Sequence, residues 1–239
     1  MNIFKSKTKK LEEAKNKLIK DLENGDIDFV LEKMESDEIY SPLLNETRKT
    51  FVSSEHDVRR YAYERASRYH AHSDKVQLLE KLASETHPGR RSNLFFCLAH
   101  LCSNTLDSEL FNFLMERIET EDNDNKRSIL LGIQDMNKAS DLNIEPLKKL
   151  AQSNYSELYW GAIFALRFTQ DSEVEGLLLS LFEDTNNKGK KGVICATLRS
   201  IGTTQSIPIL NAAYKKTRDN SLRHDIELAI QYIQERSIQ

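Results

Sequence analysis

The run Ser156-Glu157-Leu158-Tyr159-Trp160-Gly161-Ala162-Ile163-Phe164-Ala165-Leu166, followed four residues later by Asp171-Ser172-Glu173-Val174, decides the fold. With Leu158 as origin, Ala162, Ala165, Leu166 and Thr169 fall at offsets 4, 7, 8 and 11, the spacing that lines one face of an α-helix. The same offsets recur along the chain from origins at Val58, Arg90, Asn125, Leu158, Lys190 and Leu222, which lie 32 to 35 residues apart. A period of that length is the signature of stacked helical repeats.

The columns carry the packing argument. Ala62, Leu94, Ile129, Ala162, Ile194 and Ile226 occupy offset 4, and Ala66, Leu98, Ile133, Leu166, Leu198 and Ile230 occupy offset 8, all apolar. Offset 7 holds Arg65, Cys97, Gly132, Ala165, Thr197 and Ala229, small in five of six units, so that a neighbouring backbone can come close. A second helix follows in each unit, carrying Leu78 and Leu82, Leu110 and Leu114, Leu147 and Ala151, Leu178 and Phe182, or Leu210 and Tyr214. A hairpin of this kind cannot bury both apolar faces alone, so neighbours must stack.

The sequence therefore predicts an all-α fold, a right-handed α-α superhelix of about five hairpins and a final helix running from Ser221 to about Arg236. Residues 1–55 fit the register poorly. They predict helices near Ser6 to Asn24, Ile27 to Glu35 and Pro42 to Ser53, an irregular helical cap or degenerate repeats ahead of a 56–239 solenoid.

Composition agrees and excludes several classes. Only 8 Gly and 4 Pro stand among 239 residues, too few for a strand-and-turn protein. With 34 Lys plus Arg against 37 Asp plus Glu the net charge is -3, so the whole molecule has no general pull toward nucleic acid. No stretch reaches the roughly 20 apolar residues of a membrane helix, and Met1 to Leu18 lacks an apolar leader core. Three cysteines, Cys97, Cys102 and Cys195, are an odd count that suits free thiols in a reducing compartment, and the expected location is cytoplasmic.

Serine 156 to Leu166, with the Asp57-Val58-Arg59-Arg60 lead and the helix ends at Thr197-Leu198 and Ile201-Gly202, resembles the HEAT-like repeat family named after phycobilisome linker lyases. The resemblance covers roughly Asp57 to the C-terminus. It implies a solenoid scaffold and an Arg one residue after each origin, and it implies nothing firm about activity, because unrelated functions are placed on such scaffolds.

That position holds Arg59, Arg91, Lys126, Tyr159, Lys191 and Arg223, with Arg60, Arg90, Arg127 and Lys190 beside it. A cation in the first turn of a helix is unfavourable by about 0.3 to 1 kcal/mol. Two compensations are open. Asp57, Asp124, Glu157 and Asp225 are near enough in sequence to pair locally, or an anionic partner meets the column, either an acidic protein face or a phosphate backbone. Trp160, the only Trp, beside Tyr159, is either an interface anchor or a packed side chain.

The expected partner-binding set is thus Arg59, Arg60, Arg91, Lys126, Arg127, Tyr159, Trp160, Lys191 and Arg223, with an acidic-faced protein as the partner and nucleic acid as the alternative. His56, His70, His72 and His87 lack the i, i+4 spacing of paired metal ligands, so no metal or cofactor is expected. No Gly-rich phosphate loop and no GxSxG motif occurs. Enzymes that share HEAT-like repeats compare weakly. The His-Glu dipeptides of deoxyhypusine hydroxylases are absent, the alkylpurine DNA glycosylases use several aromatic residues, and the pocket of a bilin lyase cannot be placed. A non-catalytic scaffold of adaptor, chaperone-like or immunity type is the expectation.

Overall fold

Polar side chains start the helices. Asp57, Asp107, Asp122, Asn187 and Asp219 each precede an apolar run and accept a bond from a backbone N–H of the first turn. The computed structural model describes residues 2–38 and 57–238, and among these it has thirteen helices and no β-strand. The fold is all-α. The expected helix near Pro42 to Ser53, the boundary between residues 55 and 56, and His56 lie outside the described residues.

The chain divides into two compact units, residues 1–104 and 105–239. In the first unit α1 (Asn2–Asn24) and α2 (Ile27–Met34) both pack on α3 (Val58–Ala66), and α2 also touches α4 (His72–Ser84). The unit continues into α5 (Pro88–Thr105), which joins α3 through Tyr63. The Tyr63 hydroxyl meets Asn93 Oδ1 at 2.6 Å, and its ring stands edge-on to Phe96. Lys9, Lys10, Lys17 and Lys20 of α1 face solvent while Leu22 is buried, so one face is apolar and the other water-facing.

The second unit holds α6 (Ser108–Thr120), α7 (Asn123–Ile133), α8 (Glu145–Ala151), α9 (Ser156–Ala165), α10 (Glu173–Asp184), α11 (Lys188–Ile201), α12 (Ser206–Lys216) and α13 (Asn220–Ser237). Odd-numbered helices pack on one another in order, α7 on α9, α9 on α11 and α11 on α13. Even-numbered helices form the other layer, with α6 on α8 and α10 on α12. We call the odd helices from α3 onward A and the even ones B.

The periodic columns are the core. All six offset-4 residues are buried, as are the offset-8 residues from Ala66 through Leu198. At the small-residue column Thr197 donates its hydroxyl to Ile163 O at 2.9 Å, a bond that brings the α11 side chain onto the α9 backbone. Close approach recurs at Gly202, where a Cβ would stand 2.9 Å from Ile233 Cδ1. Ile230 and Tyr214 are only part-buried, because no later helix of the described residues covers them.

Residues 134–144 form a loop that pairs with the loop after α9: Lys138 N–H donates to Phe168 O at 3.0 Å and Gln170 N–H donates to Lys138 O at 3.0 Å. The Lys138 side chain is fully buried, and its ammonium donates to Met136 O at 2.8 Å and Arg167 O at 3.1 Å. It thereby puts a cation on the carbonyl ends of two A helices. Arg236, donating to Leu198 O and Gly202 O, does the same for α11, and Asn104 caps the end of α3 with a neutral amide, donating to Ser67 O and Tyr69 O.

Candidate interaction surface

Each cation of the basic column sits in the first turns of an A helix, and Arg91, Lys191 and Arg223 reach the end of the preceding B helix. Arg91 shows why a cation is stable there. Its Nη1 donates to Leu82 O at 3.2 Å and Glu85 O at 3.4 Å, carbonyls at the C-terminus of α4, and its guanidinium stands 5.4 Å from the Phe95 ring centre. Arg223 repeats the arrangement four repeats later, with Nε on Thr217 O at 3.0 Å and the guanidinium 5.1 Å from the Tyr214 ring centre. The negative end of a B helix thus offsets the penalty of a cation at the start of the next A helix.

The other members vary. Arg59 pairs with Asp37 and donates to Ser36 O, and Arg60 pairs with Glu64 at 3.0 Å. Arg127 meets Glu157 at 3.1 Å and Asp124 at 3.6 Å. Lys191 lies 4.8 Å over Phe182. Lys126 makes no ion pair among the described residues. Lys190 is buried with its ammonium 4.3 Å over the Tyr159 ring, and burial lowers its pKa from the ordinary lysine value. Tyr159 is itself buried and accepts from Asn187 Nδ2 at 3.4 Å.

Of the nine expected residues, Arg59, Arg60 and Arg91 fall in the first unit and Lys126, Arg127, Tyr159, Trp160, Lys191 and Arg223 in the second. Tyr159 and Trp160 separate although adjacent: Tyr159 turns into the stack, while Trp160 stays 40% exposed. One edge of the indole rests on the start of α11, where a Cβ on Gly189 would come 2.9 Å from Cζ2. The remainder faces a groove of about 440 Å³ on the A layer.

The groove is the feature that column reading missed. Trp160 and Phe164 of α9 form one wall, Gly189, Gly192 and Ala196 of α11 the floor, and Asp219 and Asp225, at the start of α13, the other wall. The signal lay in a non-repeating column: two residues after the origins stand Arg60, Ser92, Arg127, Trp160, Gly192 and His224, so the largest side chain faces the smallest in the next unit. Asp225 Oδ1 accepts from Arg199 at 2.9 Å, and Oδ2 lies over the floor, 2.9 Å from where a Gly192 Cβ would be. Asp219 accepts from the N–H of Leu222 at 3.0 Å and from Lys188 at 3.0 Å, which together, the Leu222 bond foremost, lower its pKa from the ordinary carboxylate value.

Chemistry elsewhere is quiet. Cys97 and Cys195 are buried, and burial pushes each thiol up to about 12, far from the thiolate a nucleophile needs. His70 Nδ1 lies 3.0 Å from Arg68 O. Among the described residues no group of three or more His, Cys, Asp or Glu is arranged to hold a metal ion, and no helix is long and apolar enough to cross a membrane. No protein-family model matches the sequence, and no curated protein matches it.

Proposed function

We propose that this chain is a non-catalytic interaction scaffold of HEAT-like repeat type that holds a protein partner on the A-helix layer of residues 105–239. The observation that carries the reading is Trp160. The only Trp of the sequence is 40% exposed on a helical layer, over a concave, largely apolar groove. A large amphipathic ring left at the wall of such a groove is the usual anchor of a protein interface.

The basic column supports the reading less directly. Arg91 and Arg223 already contact helix-end carbonyls, and Arg127 already meets two carboxylates. An acidic-faced partner therefore finds fewer uncommitted cations than the sequence column advertises. A phosphate backbone meets the same shortage, and acidic residues outnumber basic ones over residues 105–239.

The test is capture of a stoichiometric partner from the native host by the tagged chain, compared with Trp160→Ala, Arg127→Glu and, on the opposite layer, Ser180→Ala. Loss of the partner with Trp160→Ala and retention with Ser180→Ala is expected. Retention by both Trp160→Ala and Arg127→Glu would show that the A layer is the wrong surface.

A further inference from the structure

We infer that the Trp160 groove takes an arginine side chain presented by an exposed, basic segment of the partner, an inference that rests on the scaffold reading above and names the chemistry of its ligand. Three features converge on a planar cation. The indole is 40% exposed and lines the groove, and among aromatic rings indole holds cations best.

The second feature is an open acceptor. Asp225 spends Oδ1 on Arg199 at 2.9 Å, and Oδ2 has no hydrogen-bond partner among the described residues while standing at the groove floor over Gly192. Gly189, which touches the indole edge, and Gly192, which underlies Oδ2, are three apart on one helix, so ring and carboxylate stand over the same helical turn. A guanidinium entering over that turn can set its face toward the indole and an N–H toward Oδ2. The glycines make room for it, since any side chain at either position would fill the slot.

The third feature is the field. Acidic residues outnumber basic ones over residues 105–239, whereas over residues 1–104 the balance is reversed. A basic segment is therefore drawn to the second unit as a whole before it finds the groove. Lys188, at the groove rim, is held by Asp219 and does not stand free against the incoming cation.

Because Trp160 is the only Trp, fluorescence excited at the red edge of indole absorption, where the 8 tyrosines do not absorb, reports on the surroundings of Trp160. The full chain is titrated with tetra-arginine, tetra-lysine and tetra-glutamate peptides and a single-stranded oligonucleotide at fixed ionic strength. Tetra-arginine is expected to give a saturable change in Trp160 emission, tighter than tetra-lysine, with no saturable response to the two anionic probes. Asp225→Asn keeps an oxygen for Arg199 and removes the charge, and Gly192→Ala blocks the floor while leaving a good helix former. Each should weaken tetra-arginine at least about tenfold with the helical circular dichroism unchanged. Equal response to arginine and lysine, preference for either anionic probe, or unchanged affinity in both variants overturns the inference. Partner capture lost with Trp160→Ala but kept with Asp225→Asn and Gly192→Ala would overturn it while leaving the scaffold reading intact.

Discussion

Replacing Arg91 by Met separates an internal role for the basic column from a role in partner binding. Methionine retains the aliphatic stem against Phe95 and removes the bonds to Leu82 O and Glu85 O. A hydrogen bond from a charged donor contributes about 1.5–3 kcal/mol at its best. Here one Nη1 is shared between acceptors at 3.2 and 3.4 Å, both long, and the group is part-exposed, so about 1 kcal/mol is reasonable. Loss of the cation from the carboxyl end of α4 adds about 0.3–1 kcal/mol. The variant should therefore lose about 1–2 kcal/mol of stability, read as a lower urea midpoint at unchanged slope. Lys126→Met is the control, a member of the same column with no ion pair among the described residues, and should move by no more than about 0.5 kcal/mol. Equal effects at the two positions would refute the helix-end account. A loss of partner capture by Arg91→Met without loss of stability would return the column to the binding surface.

Leu106 has a φ of 53° just after α5 and is exposed. A left-handed leucine costs about 1–2 kcal/mol, so Leu106→Gly should raise stability by about 0.5–1 kcal/mol after the entropy of a new glycine, and an unchanged or lower melting temperature would count against that strain. Asp171 Oδ2 lies 2.7 Å from Lys148 Nζ and another of its oxygens accepts from Glu173 N–H at 2.8 Å, so its carboxyl titrates below the usual carboxylate range. A depressed carboxyl contributes stability above about pH 4 that is lost as pH falls through the lower folded value. Asp171→Asn should therefore flatten the loss of urea midpoint between about pH 4 and pH 2, and coincident acid limbs would exclude the pair as a source of acid sensitivity.

Much of the fold was readable because the repeat makes the same statement several times. Offsets 4, 7 and 8 from Leu158 are buried at Ala162, Ala165 and Leu166, and the same offsets from Lys190 are buried at Ile194, Thr197 and Leu198. Apolar burial depends only on which helix face a residue occupies, and periodicity reports the face. Partners of polar groups follow a different rule. Lys138 reads as a surface lysine, yet it is fully buried because two loops bring it to carbonyl ends of α7 and α9. Arg91 and Arg223 read as members of a partner-binding column, and both make contacts that run backward to the preceding B helix. A helix end has no residue type, so no column in the sequence could announce it as an acceptor.

The same distinction explains the groove. Repetition selects what every unit shares, which is the packing of the stack. A feature that breaks the repetition stands out against that background, as Trp160 does opposite Gly192 in a column that elsewhere holds Arg60, Ser92, Arg127 and His224. Scaffold residues are therefore found by agreement between units and candidate contacts by disagreement. The departures that matter are those where two adjacent units depart together, a large ring in one and a missing side chain in the next, because only a paired change opens space on an otherwise closed helical layer.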